Sequence, residues 1–395
     1  MQRIAILCPS TKPVPATKGG AVETIIDGLI RQNEKTPKFR FTVFSEYDEK
    51  AKEQSDFFKY TNFVYVKTNL KLEKLYYVFY RFVKKIFNIA LPDNLARYHM
   101  VKDFNANDFD WILYQAGEIF SLKFYKDKLP KEKMLVHAHG MITPIPEVDQ
   151  YFSYYLSISK FVQDYWSKNS RRPIETYKIW KNCIFVENFK RKLNENDKIS
   201  LRHQLGFSEE DYIVLFTGRI IPEKGVLELI KALSYISDKT VKLLIIGSAN
   251  FADKSMSAYE KKVNEQVEEF ENRVIFTGYV PNDELYKYYS IASVSVAPAL
   301  WDEPAGLVVL EAMAAGVPLV TTGSGGMKEY IAYGSALLIN RDEYISRAIA
   351  DAIIKIKKSP DLADKLIKAG LEVARKYDME QYLLRFSEII DEISK

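Results

Sequence analysis

Two carboxylates, Glu303 and Glu311, lie within LWDEPAGLVVLEAMAAGVP. Glu311 is set among Val308, Val309, Leu310, Ala312, Met313, Ala314 and Ala315. A buried, unpartnered carboxylate there would cost several kcal/mol, so it needs a partner. Ribose hydroxyls would satisfy it; a neighbouring backbone group or cation would be the purely structural solution. The small residues around it, Gly316 included, allow a ligand to come close and favour the first.

FTGRIIPEKGVLELIKAL places Arg219 just past a buried strand and Lys224 at the start of a helix with Val226, Leu229, Ile230 and Leu233 on its core face. Both cations then stand at the carboxyl edge of a parallel sheet, where open α/β folds bind ligands. Two positive side chains at that edge suit a diphosphate, because they neutralise charge that grows on a leaving group. A surface salt bridge would account for the spacing equally well.

Gly19 and Gly20 directly precede a helical pattern of Val22, Ile25, Ile26, Leu29 and Ile30. A glycine pair there lets backbone N–H groups approach an anion, with the helix dipole adding to the attraction. A tight strand-to-helix turn explains the pair as often. LVHAHG ends a buried strand with His137 and His139, whose spacing puts both on one face if the strand stays extended. With four histidines and two cysteines in the chain, and no acidic cluster near the pair, zinc is not expected. His139, at the strand mouth, is the ligand-contact candidate. Asp108-Phe109-Asp110 reads as turn chemistry before a strand rather than as a metal site. There is no Walker A sequence, and GSGG at 323–326 lacks the spacing of a dinucleotide fingerprint.

Apolar runs at 3–8, 39–45, 63–66, 111–116, 134–138 and 154–158 alternate with helical or polar stretches, the pattern of a βα domain. A second series, at 212–218, 241–247, 273–279, 293–299, 318–322 and 335–340, predicts another doubly wound domain. The polar stretch 187–200 reads as the connector, which gives domains at 1–190 and 191–375 and a terminal helix at 376–395. The 395 residues are too many for one small core, and 47% hydrophobic against 27% charged residues excludes wholesale disorder.

No apolar run approaches the length of a membrane span, and the first one is too short for a secretory signal, so a cytoplasmic protein is expected. The two cysteines cannot build a disulfide framework. Residues 1–190 carry 30 lysines and arginines against 21 acids, whereas the remainder is acidic within a net charge of +4. The basic part holds an amphipathic stripe, Leu72, Leu75, Tyr76, Phe79, Phe82, Val83, Ile86 and Phe87, bordered by Lys71, Lys74, Arg81, Lys84 and Lys85. Such a helix at 71–87 either packs on its own domain or touches an anionic membrane surface, at the inner face if so.

Taken together, Gly19-Gly20, His139-Gly140, Gly218-Arg219 with Lys224-Gly225, Phe276–Val280, and Glu303 with Gly306 and Glu311 resemble the retaining glycosyltransferases of family 4. The elements follow that family's order across almost the whole chain. The Glu-Pro-x-Gly-x4-Glu-Ala-Met-Ala-x-Gly segment at 303–316, combined with the upstream Gly-Arg and Lys-Gly, is the specific part. Ser159-Lys160-Phe161 also matches the family's strand-to-helix turn.

The resemblance implies an α/β GT-B architecture: two Rossmann-like, doubly wound domains facing a cleft, with carboxyl-terminal helices crossing back to the first. It implies that Arg219 and Lys224 bind the diphosphate of a nucleotide-sugar donor, that Gly19 and Gly20 offer N–H groups, and that Glu311 holds the ribose. Backbone at Tyr279 and Val280 would meet the base. Glu303 and the N–H groups of the Ala305-Gly306-Leu307 turn would hold the sugar, and His139 would approach it. Glu303, His139, Arg219 and Lys224 are thereby the expected catalytic set.

The family usually carries an aromatic residue where this chain has Ala305, so the pocket wall differs there. The implied reaction retains anomeric configuration and uses no metal or cofactor. The donor is expected to be a UDP-sugar, and the acceptor a glycan, glycolipid or protein-linked glycan in cell-surface polysaccharide assembly; nucleic acid is not an expected partner. A synthase of a small soluble glycoside, or a nucleotide-sugar-binding coat protein without turnover, are the alternatives.

Overall fold

The computed structural model describes residues 1–9, 12–115, 119–248, 257–270 and 272–395. It forms two compact units, Met1–Cys183 with Met379–Lys395, and Ile184–Asp378.

The first unit is a seven-stranded sheet of β1 (Gln2–Leu7), β2 (Phe39–Glu46), β3 (Thr61–Val66), β4 (Trp111–Gln115), β5 (Met134–Ala138), β6 (Tyr154–Ser157) and β7 (Tyr177–Ile179). Their order is β3-β2-β1-β4-β5-β6-β7, and every pairing is parallel. Strands buried on both faces read as continuous apolar runs, which is why IAIL and WILY were legible. Ala116, the last residue of the predicted 111–116 run, lies outside the described residues. β7 was not anticipated, because Tyr-Lys-Ile is too short and too polar to stand out.

The second unit is a six-stranded parallel sheet of β8 (Tyr212–Thr217), β9 (Val241–Ile246), β10 (Val274–Gly278), β11 (Val294–Ala297), β12 (Leu319–Thr321) and β13 (Leu337–Leu338). The order is β10-β9-β8-β11-β12-β13. Val214, Phe216, Leu243, Ile245, Val294 and Val296 form its core with Leu229 and Ile230 of helix Val226–Ala232 and Ile349 and Ile353 of helix Ile345–Lys358. Strand order reverses between β1 and β4 in one sheet and between β8 and β11 in the other. Crevices open at such reversals beyond the carboxyl ends of the strands.

The junction falls at 183/184 rather than at the predicted 190/191. The polar stretch contains a short helix, Val186–Lys190, whose Val186 and Phe189 are buried, and the Phe189 ring meets Tyr289 of the second unit edge-on at 5.8 Å. Burial of those two side chains outweighs the polar composition around them. The chain returns to the first unit at Met379, three residues later than predicted. Helix Met379–Ile393 buries Tyr382, Leu383, Phe386, Ile389 and Ile390, one helical stripe. Trp180 stacks on Tyr382 and Phe386 at 4.3 and 4.4 Å and donates its Nε1–H to Tyr382 O at 3.0 Å.

Candidate active site

In the second unit, Arg219 stands exposed just past β8. Lys224 lies in a tight turn, Pro222–Lys224, ahead of helix Val226–Ala232 rather than within its first turn. Gly225 links turn to helix at φ 72°, and a Cβ there would fall 2.1 Å from the carbonyl oxygen of Pro298. Only glycine permits this approach between the segment leaving β8 and the one leaving β11. Leu300 N–H donates to Glu223 O at 2.8 Å across the same seam.

The segment after β11 carries Glu303 into a buried position, where its Oε1 pairs with Lys224 Nζ. That segment is held from several sides. Thr322 Oγ1 donates to Ala299 O at 2.9 Å, Ser324 Oγ to Trp301 O at 2.7 Å, and Gly326 N–H to Glu303 O at 2.7 Å. Ala305 is buried, Gly306 turns at φ 75° against Met327, and Leu307 leads into helix Val308–Ala314.

Glu311 sits buried on that helix. Asn282 Nδ2 donates to its Oε1 and Tyr289 Oη to its Oε2, both at 3.5 Å, the outer limit of a hydrogen bond. Tyr289 also lies 3.0 Å from Thr217 Oγ1 at the end of β8. Burial pushes the carboxyl up to about 7, and the two distant donors offset this only in part. Hydroxyl groups donating to this carboxylate would favour its charged form. Tyr279 and Val280 follow β10 directly, the first exposed and the second half-buried.

In the first unit, Gly20 precedes helix Ala21–Lys35 at φ 111°, and Gly19 has φ 65°. A Cβ on Gly20 would lie 2.2 Å from Glu23 Oε2. Glu23 is buried, and burial raises its pKa. A carboxyl group of the chain therefore already lies against the turn where an external anion is expected.

His139 follows β5, and Gln115 ends β4 in register with His137. Gln115 Oε1 accepts from His139 Nε2 at 2.7 Å and from His137 Nδ1 at 2.9 Å. The rings are 4.1 Å apart, and His137 stacks on Trp180 at 4.6 Å. Burial lowers His139 to about 3 and takes His137 well below its ordinary value, so both rings are neutral. With the proton on the nitrogen facing Gln115, His139 Nδ1 keeps a lone pair, and it has no hydrogen-bond partner among the described residues.

The structure thus brings Lys224 and Glu303 into contact and places Arg219 and Glu311 on adjoining segments of the same unit, while Gly19, Gly20 and His139 belong to the other. Gln115, Tyr289, Asn282 and Glu23 went unread in the sequence. A polar residue closing an apolar strand was the available signal for Gln115; Tyr289 was hidden in the aromatic run of YKYY. Asp110 pairs with Arg3 at 3.3 Å and Phe109 stacks on Phe104, so both have structural partners. Among the described residues no three His, Cys, Asp or Glu side chains cluster as metal ligands would.

Two doubly wound parallel sheets in one chain, each with its own strand-order reversal, are the GT-B architecture. Residues 197–373, within the second unit, match the family described as glycosyl transferases group 1, and together with the relatives that follow this match makes the chain a glycosyltransferase. It is 29% identical to the lipopolysaccharide 1,2-N-acetylglucosaminetransferase of Salmonella typhimurium over 68% of this chain and 70% of that one. It is 25% identical to the putative glycosyltransferase YtcC of Bacillus subtilis over 93% and 86% of the two chains. Its fold is shared with Anabaena HepE, crystallised with UDP and glucose, at a TM-score of 0.73 over 99% of this chain and 100% of that one, with 19% identity.

Proposed function

We propose that this chain transfers a sugar from a UDP-sugar to a glycan or lipid-linked glycan acceptor in cell-surface polysaccharide or glycoconjugate assembly, working in the cytoplasm at the inner face of the membrane. One observation carries the reading. At the β8/β11 reversal an exposed arginine, a lysine paired to a buried glutamate, and a second buried, under-bonded glutamate stand on adjoining segments. A nucleoside diphosphate sugar has anionic oxygens for the first two and hydroxyls for the carboxylates.

Arg219 and Lys224 take the diphosphate and stabilise the charge that develops on it, with N–H groups of Gly19 and Gly20 assisting. Glu303 holds sugar hydroxyls beside the Ala305-Gly306-Leu307 turn, and Glu311 the ribose. Backbone at Tyr279 and Val280 meets the base, and His139, a neutral acceptor, takes a sugar hydroxyl. The departing phosphate oxygen receives the acceptor's proton on the face the leaving group vacates, which retains configuration without a metal. The salmonella relative's acetylglucosaminyl transfer and the UDP complex of HepE support this choice of donor.

Thermal shift against UDP, GDP, dTDP and ADP, followed by transfer of labelled sugar from the best-bound donor, tests it, since specific binding raises apparent stability. Shifts with none of the four would remove the donor assignment.

A further inference from the structure

Helix Leu70–Phe87 carries more apolar surface than its own unit covers. Its inward side buries Tyr80 and Val83, and half-buried Tyr76 donates its hydroxyl to Pro92 O at 2.8 Å. At about 100° per residue, Leu72, Phe79, Ile86, Leu75 and Phe82 share an arc about 80° wide beside that inward side. All five are exposed, Leu75 at 69% and Phe82 at 57%. Core packing, one of the two readings of this stripe, therefore accounts only for its other edge.

The arc beyond these residues holds Lys71, Lys74, Arg81 and Lys85, all exposed. The helix's one acid, Glu73, is turned away from both arcs and accepts the N–H groups of Leu95 and Ala96 at 3.0 and 2.7 Å. Asn69 caps the start through Lys71 N–H, and Asn88 closes the end in the left-handed conformation, so both ends are defined within this chain. Among the described residues no helix is long and apolar enough to cross a membrane.

A strip of large apolar side chains bordered by cations and free of acids matches an anionic bilayer surface, where headgroup phosphates lie next to acyl chains. A second copy joined through the same face would bring the two sets of cations together. We infer that this helix lies in the plane of an anionic membrane, with Leu72, Leu75, Phe79, Phe82 and Ile86 among the acyl chains and Lys71, Lys74, Arg81 and Lys85 on the lipid phosphates. The inference deepens the proposed function, on which it rests for its meaning, by fixing the acceptor as lipid-linked.

Flotation of the full chain with vesicles of phosphatidylcholine, with and without phosphatidylglycerol, tests it without any sugar. The wild type is expected to float with the anionic vesicles and to be released by high salt. Lys71→Gln, Lys74→Gln and Lys85→Gln should each weaken binding about fivefold. The double variant Leu75→Glu with Phe82→Glu should stay behind while melting as the wild type does, since both side chains are exposed. Wild-type protein that ignores anionic vesicles, a double variant that still floats, or a dimer that this variant dissociates would each overturn the inference. Thermal shift with UDP on the same samples keeps the two readings apart: losing vesicles but keeping the shift bears on the membrane alone.

Discussion

Lys224 Nζ is paired with the carboxylate of Glu303, 79 positions away, although the resemblance assigns the two to different parts of a ligand. The pair joins the segment after β8 to the segment after β11. On the proposed reading a diphosphate would have to share Lys224 with Glu303 or draw it away, and until then the pair would hold the lysine in place.

Arg219→Ala and Lys224→Ala should both reduce sugar transfer by at least about 10²-fold, the effect of losing one charge-stabilising donor. They should part company in stability. Arg219 is exposed, and its loss should leave the melting temperature unchanged. Lys224→Ala strands a buried carboxylate and should cost on the order of 2 kcal/mol. Transfer assays and melting curves on the two variants check both halves; full activity in either would remove the diphosphate assignment.

Glu311 gives a dependence on pH. Its carboxyl is raised from 4.5 to about 7, so the unfolded chain loses this proton first as pH rises. Its contribution is fully present below pH 4.5 and is lost as pH rises through 7, a difference of about 3 kcal/mol. Glu311→Gln should therefore melt higher than wild type at alkaline pH and flatten this part of the profile. If ribose hydroxyls donate to this carboxylate, as proposed, nucleotide binding should release a proton near neutrality and be weakened by the variant. Calorimetry in buffers of different ionisation enthalpy reads the proton; identical heats in all of them would contradict the ribose contact.

His139 should stay neutral through the working range, because burial holds it near 3. The unfolded imidazole takes up its proton near 6.5, so the stability this ring contributes is present above that pH and lost as pH falls toward 3. His139→Gln should remove part of the acid sensitivity, and the activity profile should show no titration that this variant abolishes. Melting and rate profiles from pH 4 upward decide it.

Gly225→Ala should destabilise by about 2–5 kcal/mol, from left-handed strain and the collision with Pro298 O. Gly206, at φ 82° with open space around it, isolates the first cause, and its alanine variant should cost about 1–2 kcal/mol. Equal denaturation midpoints for the two would show that the segments after β8 and β11 yield.

Much was legible because it was local. Strands buried on both faces announce themselves as apolar runs, and Tyr382, Phe386 and Ile389 repeat at the helical period. Arg219, Lys224, Glu303 and Glu311 stand out as charges set in or beside apolar sequence, where burying a charge is costly unless it has a partner.

What the amino-acid order determined by itself was therefore the two parallel α/β units and the residue types gathered at their strand ends. The tertiary structure alone decided the pairing of Lys224 with Glu303, the sharing of Gln115 between His137 and His139, and the meeting of Tyr289 with Glu311. It also decided which edge of the 72–87 stripe is covered, and that the chain changes units at Cys183 rather than in the polar stretch. Periodicity records which side of an element is apolar, a property of neighbours in sequence. Contacts across strands, and whether anything covers an apolar face, depend on residues tens of positions away that only folding brings together.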